Sequence, residues 1–201
     1  MLSPALAPRA ASIEAIVIGA SAGAVAALSV LLPALPADLR APVVVVVHLS
    51  SRTPSLLAAV FAPRCALPVA EPEDKQPLAP GIWFAPPDYH LLIEHDRTFS
   101  LSVDDPVHWS RPSIDVLLQS ATDAYGASLA AVILSGANDD GASGAAAVRR
   151  AGGLVLVQDP ATAEAPEMPR ASIAAATPQL VGTLDEIAQA LLAAIREGRR
   201  R

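Results

Sequence analysis

Ser21, His48 and Asp140 are the side chains of this sequence best suited to share a hydrolytic reaction, and each follows an apolar run of strand length. Ser21 lies in Ala15-Ile-Val-Ile-Gly-Ala-Ser-Ala-Gly23, a Gly-x-Ser-x-Gly pattern between a predicted strand and a predicted helix. Gly19 and Gly23 carry no side chain, so the backbone can bend sharply there and hold the hydroxyl clear of it, which makes Ser21 a candidate nucleophile. His48 closes the run Val43 to Val47, and Asp139-Asp140-Gly141 follows Ile133-Leu-Ser-Gly136. A serine hydroxyl is a poor nucleophile at neutral pH unless a base such as imidazole takes its proton. A carboxylate on the other ring nitrogen fixes the tautomer and stabilises the imidazolium. The order Ser, His, Asp differs from the Ser, Asp, His order of α/β-hydrolases, so it predicts another arrangement of the same geometry.

Local pattern leaves each residue a second reading. Ser21 can be a helix N-cap, or part of a phosphate-cradling loop, because Gly19-x-Ser21-x-x-Ala24 is a degraded dinucleotide fingerprint. A dinucleotide site wants an acidic side chain after the second strand, where His48 stands instead. His48 alone can be a structural histidine, and Asn138, Asp139 and Gly141 all favour turns. Metal binding by Asp139 and Asp140 would need further convergent ligands, which the sequence does not offer. Neither a metal nor an organic cofactor is expected.

These residues need strands that end together. Short β-branched stretches alternate with alanine- and leucine-rich segments of helical length, the signature of a doubly wound α/β fold: a mainly parallel sheet flanked by helices. Strands are predicted over Ala15 to Ile18, Pro42 to Val47, Ala130 to Leu134 and Leu154 to Val157, their continuous apolar character fitting burial on both faces. Helices are predicted over Ala22 to Leu32, Ser55 to Phe61, Ser113 to Tyr125 and Ala142 to Ala151, the last stopped by Gly152-Gly153. Thr183-Leu-Asp-Glu186 has the form of a capping box ahead of a final helix through Ile195. In the middle, Ile82 to Ala85, Leu91 to Glu94 and Thr98 to Val103 are separated by turn signals and read as a small antiparallel hairpin insertion near the sheet edge. In such sheets, chemistry gathers at the carboxyl ends of the strands, where all three candidates fall.

The chain has 201 residues, 52% of them hydrophobic, with a mean hydropathy of +0.42, enough apolar surface for one well-cored domain. We assign it to residues 13–196, between a disordered leader at 1–12 and a basic tail at 197–201. A net charge of −6 and 3% aromatic residues argue against nucleic-acid binding. Cys65, the single cysteine, excludes an internal disulfide and fits a reducing cytoplasm. No apolar run approaches the ~20 residues of a membrane-spanning helix, so no membrane insertion is expected.

Six ordered segments extend the pattern: Ile18-Gly-Ala-Ser-Ala-Gly23; Val47-His48; Pro80-Gly-Ile-Trp-Phe-Ala-Pro86 with His90-Leu91; Arg111-Pro-Ser-Ile-Asp115; Leu134-Ser-Gly-Ala-Asn-Asp-Asp-Gly141; and Gln158-Asp159 followed by Met168-Pro169. Through these the chain resembles, from about Ile13 to Ile195, the catalytic domain of the CheB-type protein-glutamate methylesterases of bacterial chemotaxis. The resemblance implies a serine hydrolase with Ser21 as nucleophile, His48 as general base and acid, and Asp140 as the orienting carboxylate, with Asp139 outside the triad. It implies as substrate the γ-glutamyl methyl esters on the cytoplasmic helices of methylated chemoreceptors, cleaved through an acyl-enzyme, with deamidation of receptor glutamines as a second activity. Ala22, Ala24 and Ala137 replace a threonine, a glycine and a methionine common in the family. The alternative is a catalytically weak or inactive module of the same fold that binds a signalling partner. The two-component enzyme also resembles a receiver domain joined to this hydrolase, and no receiver domain is expected here.

Overall fold

Residues 11–48 and 55–198 are described by a computed structural model. The leader is outside them up to residue 10, and the basic tail beyond 198. The five consecutive valines of β2 (Val43–Val47) and the run Ala15–Ala20 of β1 are buried throughout, as are β7 (Leu129–Ile133) and β8 (Leu154–Gln158). With β3 (Val69–Ala70), β4 (Ile82–Phe84) and β9 (Leu180–Gly182) they form a seven-stranded sheet in the order β3-β4-β2-β1-β7-β8-β9. Every pairing in it is parallel. β5 (His90–Ile93) and β6 (Phe99–Ser102) pair antiparallel as a separate hairpin.

Alternation along the strands divides the core in two. Ile16, Ile18, Val43 and Val45 face Leu28, Phe61, Ile187 and Leu191, which come from α1 (Ala24–Leu31), α2 (Leu57–Phe61) and α6 (Leu184–Gly198). Val17, Val44, Val46 and Ile133 face Leu117, Leu118, Val148 and Met168, from α3 (Ile114–Tyr125), α4 (Ala142–Arg150) and α5 (Glu167–Ala176). The sheet is therefore doubly wound, with strand order reversing on either side of β1, and the crevice at such a reversal is where these sheets bind ligands.

The predicted strands and helices are present, with shifted ends. α1 begins at Ala24 rather than Ala22 because Gly23 adopts a left-handed φ of 79°. The capping box at α6 forms as expected: the Thr183 amide donates to Glu186 Oε2 at 2.9 Å and the Glu186 amide to Thr183 Oγ1 at 3.3 Å. The hairpin lies against β4, the strand next to the β3 edge, where Phe99 packs on Trp83 with ring centroids 5.4 Å apart. Ile82 to Phe84 is not part of it, however. That segment is a parallel strand of the main sheet, because its alternate residues Ile82 and Phe84 pack into the α2 side, Phe84 stacked on Phe61.

Candidate active site

β1 ends between two partners that both continue past the ladder. Ala20 pairs with Val47, and the His48 amide donates to the Ala20 carbonyl at 3.3 Å. On the other side, the Ser21 amide donates to the Ser135 carbonyl at 2.9 Å. Ser21 and His48 thus stand at the same level, one residue beyond a paired position, at the carboxyl end of adjacent strands. The Ser21 carbonyl accepts the Ala24 amide at 3.0 Å, closing the turn into α1. Among the described residues, Ser21 Oγ makes no hydrogen bond to His48.

His48 and Asp140 do meet, His48 Nε2 lying 2.8 Å from Asp140 Oδ2. The imidazole is about one-tenth exposed and the carboxylate fully buried. Asp140 is held by the start of α3 as well as by its own loop. Ser113 Oγ donates to Oδ1 at 2.9 Å, the Asp115 amide to Oδ1 at 2.9 Å and the Ile114 amide to Oδ2 at 2.7 Å. Burial pushes this carboxyl up, but the hydrogen bonds from His48 and from the Asp115 and Ile114 amides outweigh it and hold Asp140 below the ordinary carboxylate value. A carboxylate fixed as an anion beside an imidazole orients the ring and fixes its tautomer.

The remaining motif residues build this arrangement. His90 is buried and accepts the Ser113 amide on Nδ1 at 3.2 Å, so its Nε2 proton donates to the Asp105 carbonyl at 3.1 Å. It thereby sets the cap of α3. Ile114 fills the space left by two glycines: a Cβ on Gly19 would lie 2.5 Å from Ile114 Cγ2, and one on Gly141 2.8 Å from the same atom. The serine turn, the α3 cap and the Asp140 loop are packed on one side chain. Gln158 Oε1 accepts the Ser135 amide at 2.9 Å, and Gly136 lies where any Cβ would strike Met168. The sequence marked these segments but assigned no role to Ser113, Ile114, His90 or Gln158. Their side chains act on partners distant in sequence, several of them backbone amides, which spacing does not reveal; the run of named residues in Arg111-Pro-Ser-Ile-Asp115 was the available signal.

Asp139 is exposed and lies away from the pair, with its Oδ1 3.0 Å from His108 Nδ1. The other ring nitrogen of His108 is 3.5 Å from Asp115 Oδ2. Burial raises the Asp115 carboxyl; the Gly144 amide opposes this, the nearby Asp140 charge adds to the rise, and His108 lowers it. His108, Asp115 and Asp140 each bring one ligand-type atom within 4.8 Å of one another, which corrects the expectation that no further ligands converge. Loops distant in sequence supply them, so spacing could not reveal the cluster. Asp140 already accepts four donors, and the His108 nitrogens face the Asp115 and Asp139 carboxylates.

A cavity of about 150 Å³ opens beside His48, lined also by Asp88, Pro106, Trp109, Arg111 and Pro112. Arg111 is committed to its neighbours: two nitrogens bind Asp88 Oδ1 at 3.1 and 2.7 Å, and the third donates to the Val103 and Asp104 carbonyls at 2.8 and 3.0 Å.

The family model described as CheB methylesterase matches residues 16–191. A putative protein-glutamate methylesterase/protein-glutamine glutaminase of Leptospira interrogans is 45% identical over 177 residues, 88% of this chain and 92% of that protein. A protein-glutamate methylesterase/protein-glutamine glutaminase of Anaeromyxobacter dehalogenans is 39% identical over 95% of this chain, which spans 55% of that protein's length. The crystal structure of the Thermotoga maritima CheB methylesterase catalytic domain superposes with a TM-score of 0.86 at 32% identity, covering 90% of this chain and 98% of that one. Among the described residues no helix is long and apolar enough to cross a membrane. Matched over nearly its whole described length in sequence and in fold, the chain belongs to the CheB methylesterase family.

Proposed function

We propose that this protein is a protein-glutamate methylesterase and protein-glutamine glutaminase that acts on methylated chemoreceptors through a Ser21–His48–Asp140 triad. The observation that carries the reading is the buried His48–Asp140 pair standing one strand from Ser21, at the carboxyl end of β1 and β2. Because Nε2 faces Asp140, the neutral ring carries its proton there, and Nδ1 is the nitrogen left to serve the hydroxyl. This is the reverse of the serine-protease assignment, in which Nδ1 faces the carboxylate.

Ser21 Oγ attacks the γ-carbonyl carbon of the glutamyl ester while Nδ1 takes the hydroxyl proton. The carbonyl oxygen becomes an oxyanion, which backbone amides of the turn after β1 would stabilise. Collapse breaks the bond to the methoxy oxygen, and His48 returns the proton to release methanol. Water, deprotonated by the same nitrogen, then attacks the acyl-enzyme and frees glutamate and Ser21. With a glutamine the leaving group is ammonia, and the remaining steps are identical. Arg111 being paired, the described lining offers no free cation, which suits a neutral ester or amide on entry and a carboxylate on departure.

The test is methanol release from methylated receptor fragments. Ser21→Ala and His48→Ala should each lower turnover by at least ~10³-fold, the scale on which triad members fail. Unchanged release by either variant would refute the triad.

A further inference from the structure

Trp109 is fully exposed, whereas the chain's other tryptophan, Trp83, packs on Phe99 and donates its indole proton to the Ala79 carbonyl. The indole of Trp109 stands in water at the rim of the cavity that holds His48. The loop that presents it is tightly built. Val107 and Ser110 exchange both backbone hydrogen bonds, at 3.1 and 2.9 Å, around a two-residue turn whose central residues, His108 and Trp109, have φ of 49° and 61°. Two left-handed central residues are the pattern of a type I′ turn, which favours asparagine and glycine. Histidine and tryptophan are poor choices for such backbone, and strain of this kind gathers at functional sites. His108 fastens the turn through Asp139 and Asp115, and Arg111 fastens the following residues to Asp88 and to the Val103 and Asp104 carbonyls.

We propose that Trp109 is a specificity-determining side chain, packing its indole face on an apolar side chain of the polypeptide that carries the reacting glutamate. This rests on the methylesterase reading above. Trp109 and His48 line one cavity, so a polypeptide that brings its side-chain ester to His48 and Ser21 through that cavity passes the rim on which Trp109 stands. With Arg111 occupied by its partners, the indole is the recognition surface that this loop offers. A rigid aromatic presented on a pinned turn loses little conformational freedom on contact, and anchors of this kind dominate binding energy.

The experiment compares wild type, Trp109→Ala and Trp109→Phe on methylated receptor cytoplasmic fragments and on p-nitrophenyl acetate, with thermal melts as a folding control. Trp109→Ala should raise KM for the fragments at least fivefold, more than it lowers kcat. Its loss on the fragments should exceed any loss on the small ester by the same factor, and Trp109→Phe should recover most of it. Equal kinetics of Trp109→Ala and wild type on the fragments, or equal losses on both substrates, would overturn the proposal. Should the wild type release no methanol, the methylesterase reading fails by itself, and fragment binding then decides. Ser21→Ala/Trp109→Ala binding at least fivefold more weakly than Ser21→Ala supports the role of Trp109, and equal Kd values overturn it.

Discussion

Removing the Asp140 carboxylate would leave Ser113 Oγ and the Ile114 and Asp115 amides without their acceptor in a fully buried position. Each orphaned donor costs roughly 1–3 kcal/mol, so Asp140→Ala should lose several kcal/mol in urea denaturation as well as activity. Ser21→Ala removes a half-buried hydroxyl that makes no hydrogen bond among the described residues, so its melting temperature should stay within a degree or two of wild type, as at most surface positions. Acid titration separates the two carboxylates. Asp140 is held below the ordinary ~3.9 of aspartate, so its contribution to stability is present above about that pH and lost as pH falls through its folded value. Asp115 is raised, so its charge opposes folding above its folded value, and protonation relieves that cost as pH falls. Urea denaturation against pH should therefore show a shallower acid loss for Asp140→Asn than for wild type. Asp115→Asn, which keeps an oxygen for the Gly144 amide, should be at least as stable as wild type at neutral pH. At this scale the sequence showed the side chains at strand ends but not the amides that cage Asp140, because any residue can supply an amide.

The elements meet through glycines that admit Ile114. A methyl group at Gly19 would enter a fully buried contact at 2.5 Å, and overpacking of this kind typically costs 1–3 kcal/mol. Gly19→Ala should therefore lower the melting temperature and, by shifting the α3 cap that holds Asp140, lower activity with it. Ile114→Ala opens the same space, so the double variant should lose less stability than the two single losses added, which a double-mutant cycle measures. Strands β1, β2, β7 and β8 were legible as unbroken β-branched runs, and α6 from its capping box. α5 was not, because Pro166 and Pro169 punctuate its start and resemble a loop; proline is tolerated there since the first-turn amides lack intrahelical acceptors. β3 and β9, of two and three residues, are too short to show a period.

For the whole molecule, the reversal of strand order around β1 turns three distant segments into neighbours: the turn after β1, the end of β2 and the loop after β7. The doubly wound class and the carboxyl-end location followed from alternating strand and helix lengths. The convergence of His108 and Asp115 on Asp140 did not, since it depends on how a hairpin and the α3 cap fold back over the sheet. An activated serine at this position should react with a fluorophosphonate probe. Labelling of wild type at Ser21, abolished in Ser21→Ala and reduced at least tenfold in His48→Ala, is expected by mass spectrometry.

The most direct test is methanol release from methylated chemoreceptor fragments, measured side by side for the wild-type chain and Ser21→Ala. Rapid release by the wild type, reduced at least ~10³-fold in the variant, is the predicted result. Release at the same rate by both, or none by a folded wild type, would contradict it.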